Sequence, residues 1–139
     1  MGADEFARQT EVEWNKIKDS HIDVPAEEIA RIKAFFIPPP LEVLPTEVPA
    51  VEELSKKNFV FGSWVKNNTN PHKVPGYVNV TVSLKPHGGI PGDATAEQMD
   101  LVAALADEYS QSEIRVSHEQ NLILPHVALK DLPAIWTDL

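Results

Sequence analysis

The feature that most constrains this chain is a strict alternation. Val78, Val80, Val82 and Leu84 are interleaved with Asn79, Thr81, Ser83 and Lys85, the period-two pattern of a strand with one buried face. Pro86, Gly88, Gly89, Pro91 and Gly92 then interrupt the chain, and Thr95 followed three residues later by Gln98 forms the capping box that opens a helix. Met99, Val102, Leu105, Ala106 and Tyr109 recur at helical spacing, while Glu97, Asp100, Asp107 and Glu108 lie on the wet side. The helix is therefore predicted to run to about Tyr109. Two short apolar runs follow, Ile114 to Val116 and Leu122 to Leu124, with polar residues between them. They read as a hairpin against that helix. The fold class is α+β: a small antiparallel or mixed sheet of about four strands with one main packing helix, preceded by a helical arm.

The flanks are less regular. Asp4 to Lys18 reads as an amphipathic helix carrying Phe6, Val12, Trp14 and Ile17, and a second helix starting near Pro25 carries Ile29, Ile32, Phe35 and Phe36. It stops at Pro38-Pro39-Pro40, and the recurrent prolines from Ile37 to Pro49 predict an extended connector. Asn58 to Lys66 is expected as a strand, Asn67 to Pro75 as a loop, and Lys130 to Leu139 as the start of a helix beyond the domain. The expected organisation is a helical arm at 1–36, a proline-rich connector at 37–57, a folded unit at 58–127 and a following segment from 128 to 139.

Twenty-one acidic against 12 basic residues give a net charge of −9, which argues against nucleic acid or an anionic membrane as partner. No apolar run is long enough to span a bilayer and no basic-then-apolar leader opens the chain, so a cytoplasmic location is expected. The chain has no cysteine, which excludes disulfides, thiolate catalysis and cysteine-ligated zinc. From Leu54 to Gly92 there is no Asp or Glu, while Lys56, Lys57, Lys66, Lys73 and Lys85 supply positive charge. This basic island suits a surface that meets an anion; the plain alternative is a set of solvated lysines that keep strand edges from pairing.

The tract from Leu84 to Leu124, LKPHGGIPGDATAEQMDLVAALADEYSQSEIRVSHEQNLIL, resembles the ferredoxin-like half domain of the sulfite and nitrite reductases that use sirohaem and an iron–sulfur cluster. The resemblance lies in a P-x-G-G turn ahead of a Thr- and Gln-capped helix, then a strand carrying Arg115, then His118-Glu119-Gln120-Asn121-Leu122-Ile123-Leu124. The upstream GSWVKNNTNPHKVPGY and the Gln-Asn-Leu-Ile form of the tract are similar to the second of the family's two copies. In that family two half domains join about a pseudo-twofold axis into one sheet, and four cysteines hold a 4Fe–4S cluster linked to the sirohaem. This chain has no cysteine and so cannot hold such a cluster alone.

The resemblance therefore implies a piece of a larger oxidoreductase that reduces sulfite to sulfide or nitrite to ammonia in assimilation. The isolated piece is expected to be inactive and without cofactor. Expected partners are the first half domain and the cluster-binding segment of the parent, or a second copy of this chain as a homodimer. The alternative is a non-enzymatic interaction or regulatory module, or a small anion-binding protein, that keeps the half-domain fold. If Ile114 and Val116 face the helix, Arg115 and Ser117 point to the opposite face, where Arg115 presents a fork of donors to a carboxylate. The expected cofactor-facing residues are Arg115, Gln120, Asn121, Lys66 and Lys85, with no catalytic or metal-binding residue. The bland reading of His118-Glu119-Gln120 is a hairpin turn. The five histidines, at 21, 72, 87, 118 and 126, form no helical pair and no evident set with carboxylates, which gives a metal site little support. Pro86-His87-Gly88-Gly89 before a helix offers donors to an anion, but lacks the dinucleotide fingerprint and has Asp93 at its mouth.

Overall fold

A computed structural model describes residues 2–20 and 23–139. Contacts divide the chain into two compact units, Met1–Pro38 and Pro39–Leu139. The first contains α1 (Ala3–Ile17) and α2 (Ala26–Ala34), amphipathic helices as predicted, with Glu5–Arg8 and Glu28–Arg31 ion pairs along their exposed faces. No residue of either helix is buried.

The second unit is an α+β fold. In chain order it contains α3 (Pro49–Lys57), α4 (Phe59–Asn68), β1 (Thr69–Pro71), β2 (Tyr77–Val82), α5 (Ala96–Tyr109), β3 (Arg115–Val116), β4 (Leu122–Ala128), a 3-10 turn (Leu129–Asp131) and α6 (Leu132–Asp138). The strands form one four-stranded sheet in the order β1-β2-β4-β3, with all neighbours antiparallel. The alternation that predicts a strand from Val78 is observed: Val78 and Val80 are buried, while Tyr77, Asn79 and Thr81 between them are only partly covered. Helix α5 begins where the capping box predicts, with Thr95 Oγ1 accepting from the Gln98 amide at 3.2 Å and Gln98 Oε1 accepting from the Thr95 amide at 2.9 Å. Its Val102, Leu105 and Ala106 pack with Val80, Leu124 and Val127 in the core.

Three stretches differ from the sequence reading. The stretch expected as a strand from Asn58 to Lys66 is instead helical from Phe59 onward. Asn58 Oδ1 accepts from the amides of Val60 and Phe61 at 3.0 and 3.1 Å, which caps α4, and Phe61, Trp64, Val65 and Asn68 then share a face at helical spacing. Within the expected connector, residues 49–57 form α3, with Pro49 in the first turn, where its missing N–H costs nothing, and with Val51 and Leu54 packed on the core. The chain from Leu129 onward packs into the same core: Leu132 and Ile135 are fully buried and Trp136 meets the fully buried Phe61 edge-on at 5.3 Å.

The remaining connector is strapped to the sheet at Gly76. The Leu44 amide donates to Pro75 O at 3.2 Å, and Leu129 donates to Gly76 O at 2.9 Å. Gly76 has φ +83, and a Cβ there would lie 2.4 Å from Leu44 Cβ and 2.6 Å from Leu44 O. Only glycine meets both demands.

Strand β4 carries the irregularity that shapes the rest of the molecule. Val80 pairs with Leu124 and Val78 with Val127, so the single residue Asn79 lies opposite both Pro125 and His126. This is a β-bulge. It switches the parity of the strand, so that Leu122 and Leu124 enter the core and then Val127 does. His126 takes φ +62, uncommon for a residue other than glycine. The Pro125 carbonyl accepts instead from the Ser110 hydroxyl at the end of α5.

Candidate functional site

The five residues predicted to face a cofactor fall into three places. Lys85, Gln120 and Asn121 come together at the tip of the β3–β4 hairpin. Lys85 Nζ donates to Glu119 O at 2.5 Å and to Asn121 Oδ1 at 2.7 Å. The turn itself is built by Ser117, whose Oγ accepts from the amides of Glu119 and Asn121, both at 3.2 Å. Gln120 occupies the left-handed position with φ +60 and lies over Gly92. Asn121 is 8% exposed, so the contact with Lys85 satisfies a carbonyl oxygen that water barely reaches. Between this tip and the Pro86–Gly92 loop runs an open groove of about 600 Å³, walled by Leu84, Met99, Val116 and Leu122 and edged by Asp93 and Gln120.

Arg115 lies elsewhere. Its Nε donates to Glu113 Oε1 at 2.5 Å, so one donor of its guanidinium is already engaged by a carboxylate. The expected alternation holds in register, with Val116 opposite the core residue Leu122 and Arg115 opposite Ile123, but Val116 is 80% exposed at the groove rather than packed under the helix. The physical reason for that exposure is that β3 is a two-residue edge strand, while α5 packs mainly on β4. Lys66 belongs to neither group; it stands on α4 beside Lys56, Phe59 and Gly62 in a separate open groove.

A second cluster is one that sequence spacing does not disclose. The bulge turns His126 so that its Nδ1 lies 2.9 Å from His72 Nε2 and its Nε2 lies 3.2 Å from Glu113 Oε2. A chain of polar contacts thus runs from the loop after β1, through β4, to Glu113 and Arg115. The expectation that no histidine joins a set with a carboxylate is overturned, because 54 residues separate the two histidines in sequence and only the sheet order brings them together. The Arg115 guanidinium holds the Glu113 carboxyl below its usual range. Burial pushes the His126 imidazole below the usual histidine value, against the opposing pull of Glu113. His21 lies outside the described residues, and His87 and His118 are exposed. Among the described residues no group of three or more His, Asp or Glu is arranged to hold a metal ion. No helix among them is long and apolar enough to cross a membrane.

An antiparallel four-stranded sheet with α5 packed across it is the architecture of an α+β ferredoxin-like half domain. Residues 72–139, from the end of β1 through α6, match the family described as the nitrite/sulfite reductase ferredoxin-like half domain. The match covers just under half of the chain. No curated protein and no solved structure matches the chain significantly.

Proposed function

We propose that this chain serves as the scaffold half of an assimilatory sulfite or nitrite reductase, and that its hairpin tip presents polar groups to a sirohaem held mainly by other parts of the enzyme. The observation that carries the reading is the family match over 72–139, which includes both the Lys85 strand end and the Gln120-Asn121 turn. In such an enzyme sirohaem supplies the centre at which the oxyanion is reduced by successive electrons. The chain's own residues fit that group in part. An ammonium has three donors, and Lys85 spends two on Glu119 and Asn121, which leaves one for a carboxylate at the mouth of the groove. Gln120 is exposed and uncommitted to any side-chain partner among the described residues. Arg115 is engaged by Glu113 and contributes to this surface less than its sequence position implies. A 4Fe–4S cluster does not fit this chain, which has no thiolate to ligate it.

The reading is tested by titrating the purified chain with sirohaem and following its visible absorption. Saturable binding that weakens on Lys85→Ala, and not on Lys66→Ala, supports a cofactor-facing tip. A titration that is flat, or saturable but indifferent to Lys85→Ala, refutes the cofactor-facing role and leaves the segment as scaffold alone.

A further inference from the structure

We infer that His72, His126, Glu113 and Arg115 form a proton-controlled latch, which fastens the loop between β1 and β2 to the β3–β4 hairpin while both imidazoles are neutral and releases it when the pair takes up protons. The latch spans the sheet: His72 follows β1, reaches past β2 to His126 on β4, and His126 reaches on to Glu113 before β3.

The direction of every hydrogen bond in it follows from one backbone amide. The Val74 N–H donates to His72 Nδ1 at 2.9 Å, so that nitrogen is an acceptor. A neutral imidazole has one donor and one acceptor, which places the proton of His72 on Nε2, donating to His126 Nδ1 at 2.9 Å. His126 in turn carries its proton on Nε2 and donates to Glu113 Oε2 at 3.2 Å. Arg115 Nε donates to the other carboxylate oxygen at 2.5 Å. Each imidazole donates once and accepts once, so donors and acceptors match at every contact from Val74 to Glu113.

A proton added to either ring breaks this match. On His72 Nδ1 it sets an N–H against the Val74 N–H, and the nearest substitute acceptor is Val74 O at 3.3 Å. On His126 Nδ1 it sets two N–H groups facing each other across 2.9 Å. His126 is 6% exposed, so water cannot relieve the clash until the loop moves away. The charged and titratable groups facing His126 are Glu113, which favours the imidazolium, and His72 and Arg115, which oppose it. From the end of α5 the neighbour is the uncharged Ser110, held by Pro125 O and Glu113 O, and the Tyr77 ring packs against His72 at 5.8 Å. Burial, with the Arg115 cation beside it, outweighs the one carboxylate and favours the neutral form of His126.

The test uses the full chain labelled with nitrogen-15. Ring-nitrogen shifts near pH 8 should report both histidines as the Nε2–H tautomer. As pH falls toward about 5, the exchange protection of the Val74 amide should drop about tenfold per pH unit for each proton taken up. The amide of Leu105 in α5 should lose much less. His126→Gly keeps a residue suited to the left-handed bulge and should abolish the slope at Val74, as should His72→Gln. An Nδ1–H tautomer for His72 near pH 8 overturns the latch, and so does a pH-independent protection at Val74. A slope that survives in either variant also overturns it. The tautomer and the slope are read on the unmodified chain, so the outcome does not depend on the variants folding.

Discussion

Replacing Ile135 by alanine tests whether α6 is part of the half-domain core. Ile135 and Leu132 are fully buried, and with Val51 and Phe61 they belong to the cluster that includes the sheet residues Val80 and Leu124. The substitution removes three carbon atoms, a transfer loss of about 2.4 kcal/mol at ~0.8 per methylene-sized group. The cavity left in this core adds a further ~1 kcal/mol, because the surrounding side chains relax only partially. The expected cost is about 3 to 4 kcal/mol, read as a lowered urea midpoint with an unchanged slope. Fluorescence is a suitable probe, since Trp64 stacks 6.1 Å from Phe61 and Trp136 meets it at 5.3 Å. Met99→Ala, at a residue 45% exposed, is the control and should cost under about 1 kcal/mol. If Ile135→Ala costs no more than Met99→Ala, α6 is a loosely attached tail and the assignment of its residues to the core is wrong.

Other expectations follow from single contacts. Gly76→Ala must hold a left-handed backbone and push back Leu44, whose carbonyl oxygen lies 2.6 Å from the added carbon; a loss of at least ~2 kcal/mol by the same denaturation assay is expected. Thr95→Ala removes the hydroxyl that accepts from the Gln98 amide, and should cost about 1 kcal/mol and raise amide exchange in the first turn of α5. Stability should fall with acid in two stages. His126 sits below its ordinary value of 6.5 in the folded chain, so the unfolded chain gains the proton first and stability is lost as pH drops through 6.5 toward the lower folded value. Glu113 likewise sits below its ordinary 4.5, so its contribution, present above that value, is lost as pH falls below it. Denaturant midpoints that rise on acidification between about pH 7 and pH 5 would contradict the first sign.

The parts of the fold that local chemistry dictates were legible in the sequence. The alternation around Val80 and the Thr95–Gln98 box each depend on residues a few positions apart, and both elements stand where they are predicted. The helices α3 and α4 were harder to read, because prolines upstream suggest extended chain, while the signal for α4 is a cap: Asn58, whose side chain binds two amides that no strand would leave free. The hairpin tip was readable as a polar turn, and the structure adds the tie from Lys85 to Asn121 across 36 residues.

The histidine cluster was hidden for a reason that can be located in one dipeptide. A proline in a strand paired on both sides has to sit where the ladder is interrupted, and Pro125 is the only proline in β4. Once the interruption is placed there, parity changes at the next residue. Val127 then becomes the core residue, His126 is turned off the strand's regular alternation, and its ring nitrogens become available to partners beside the strand. Strand order supplies those partners, since β1 ends beyond β2 on one side and the chain entering β3 lies on the other. The bulge alone does not identify His72 and Glu113, and the strand order alone would leave His126 on the regular alternation. It takes both to assemble the cluster, which is why no spacing between histidines and carboxylates along the chain could have shown it.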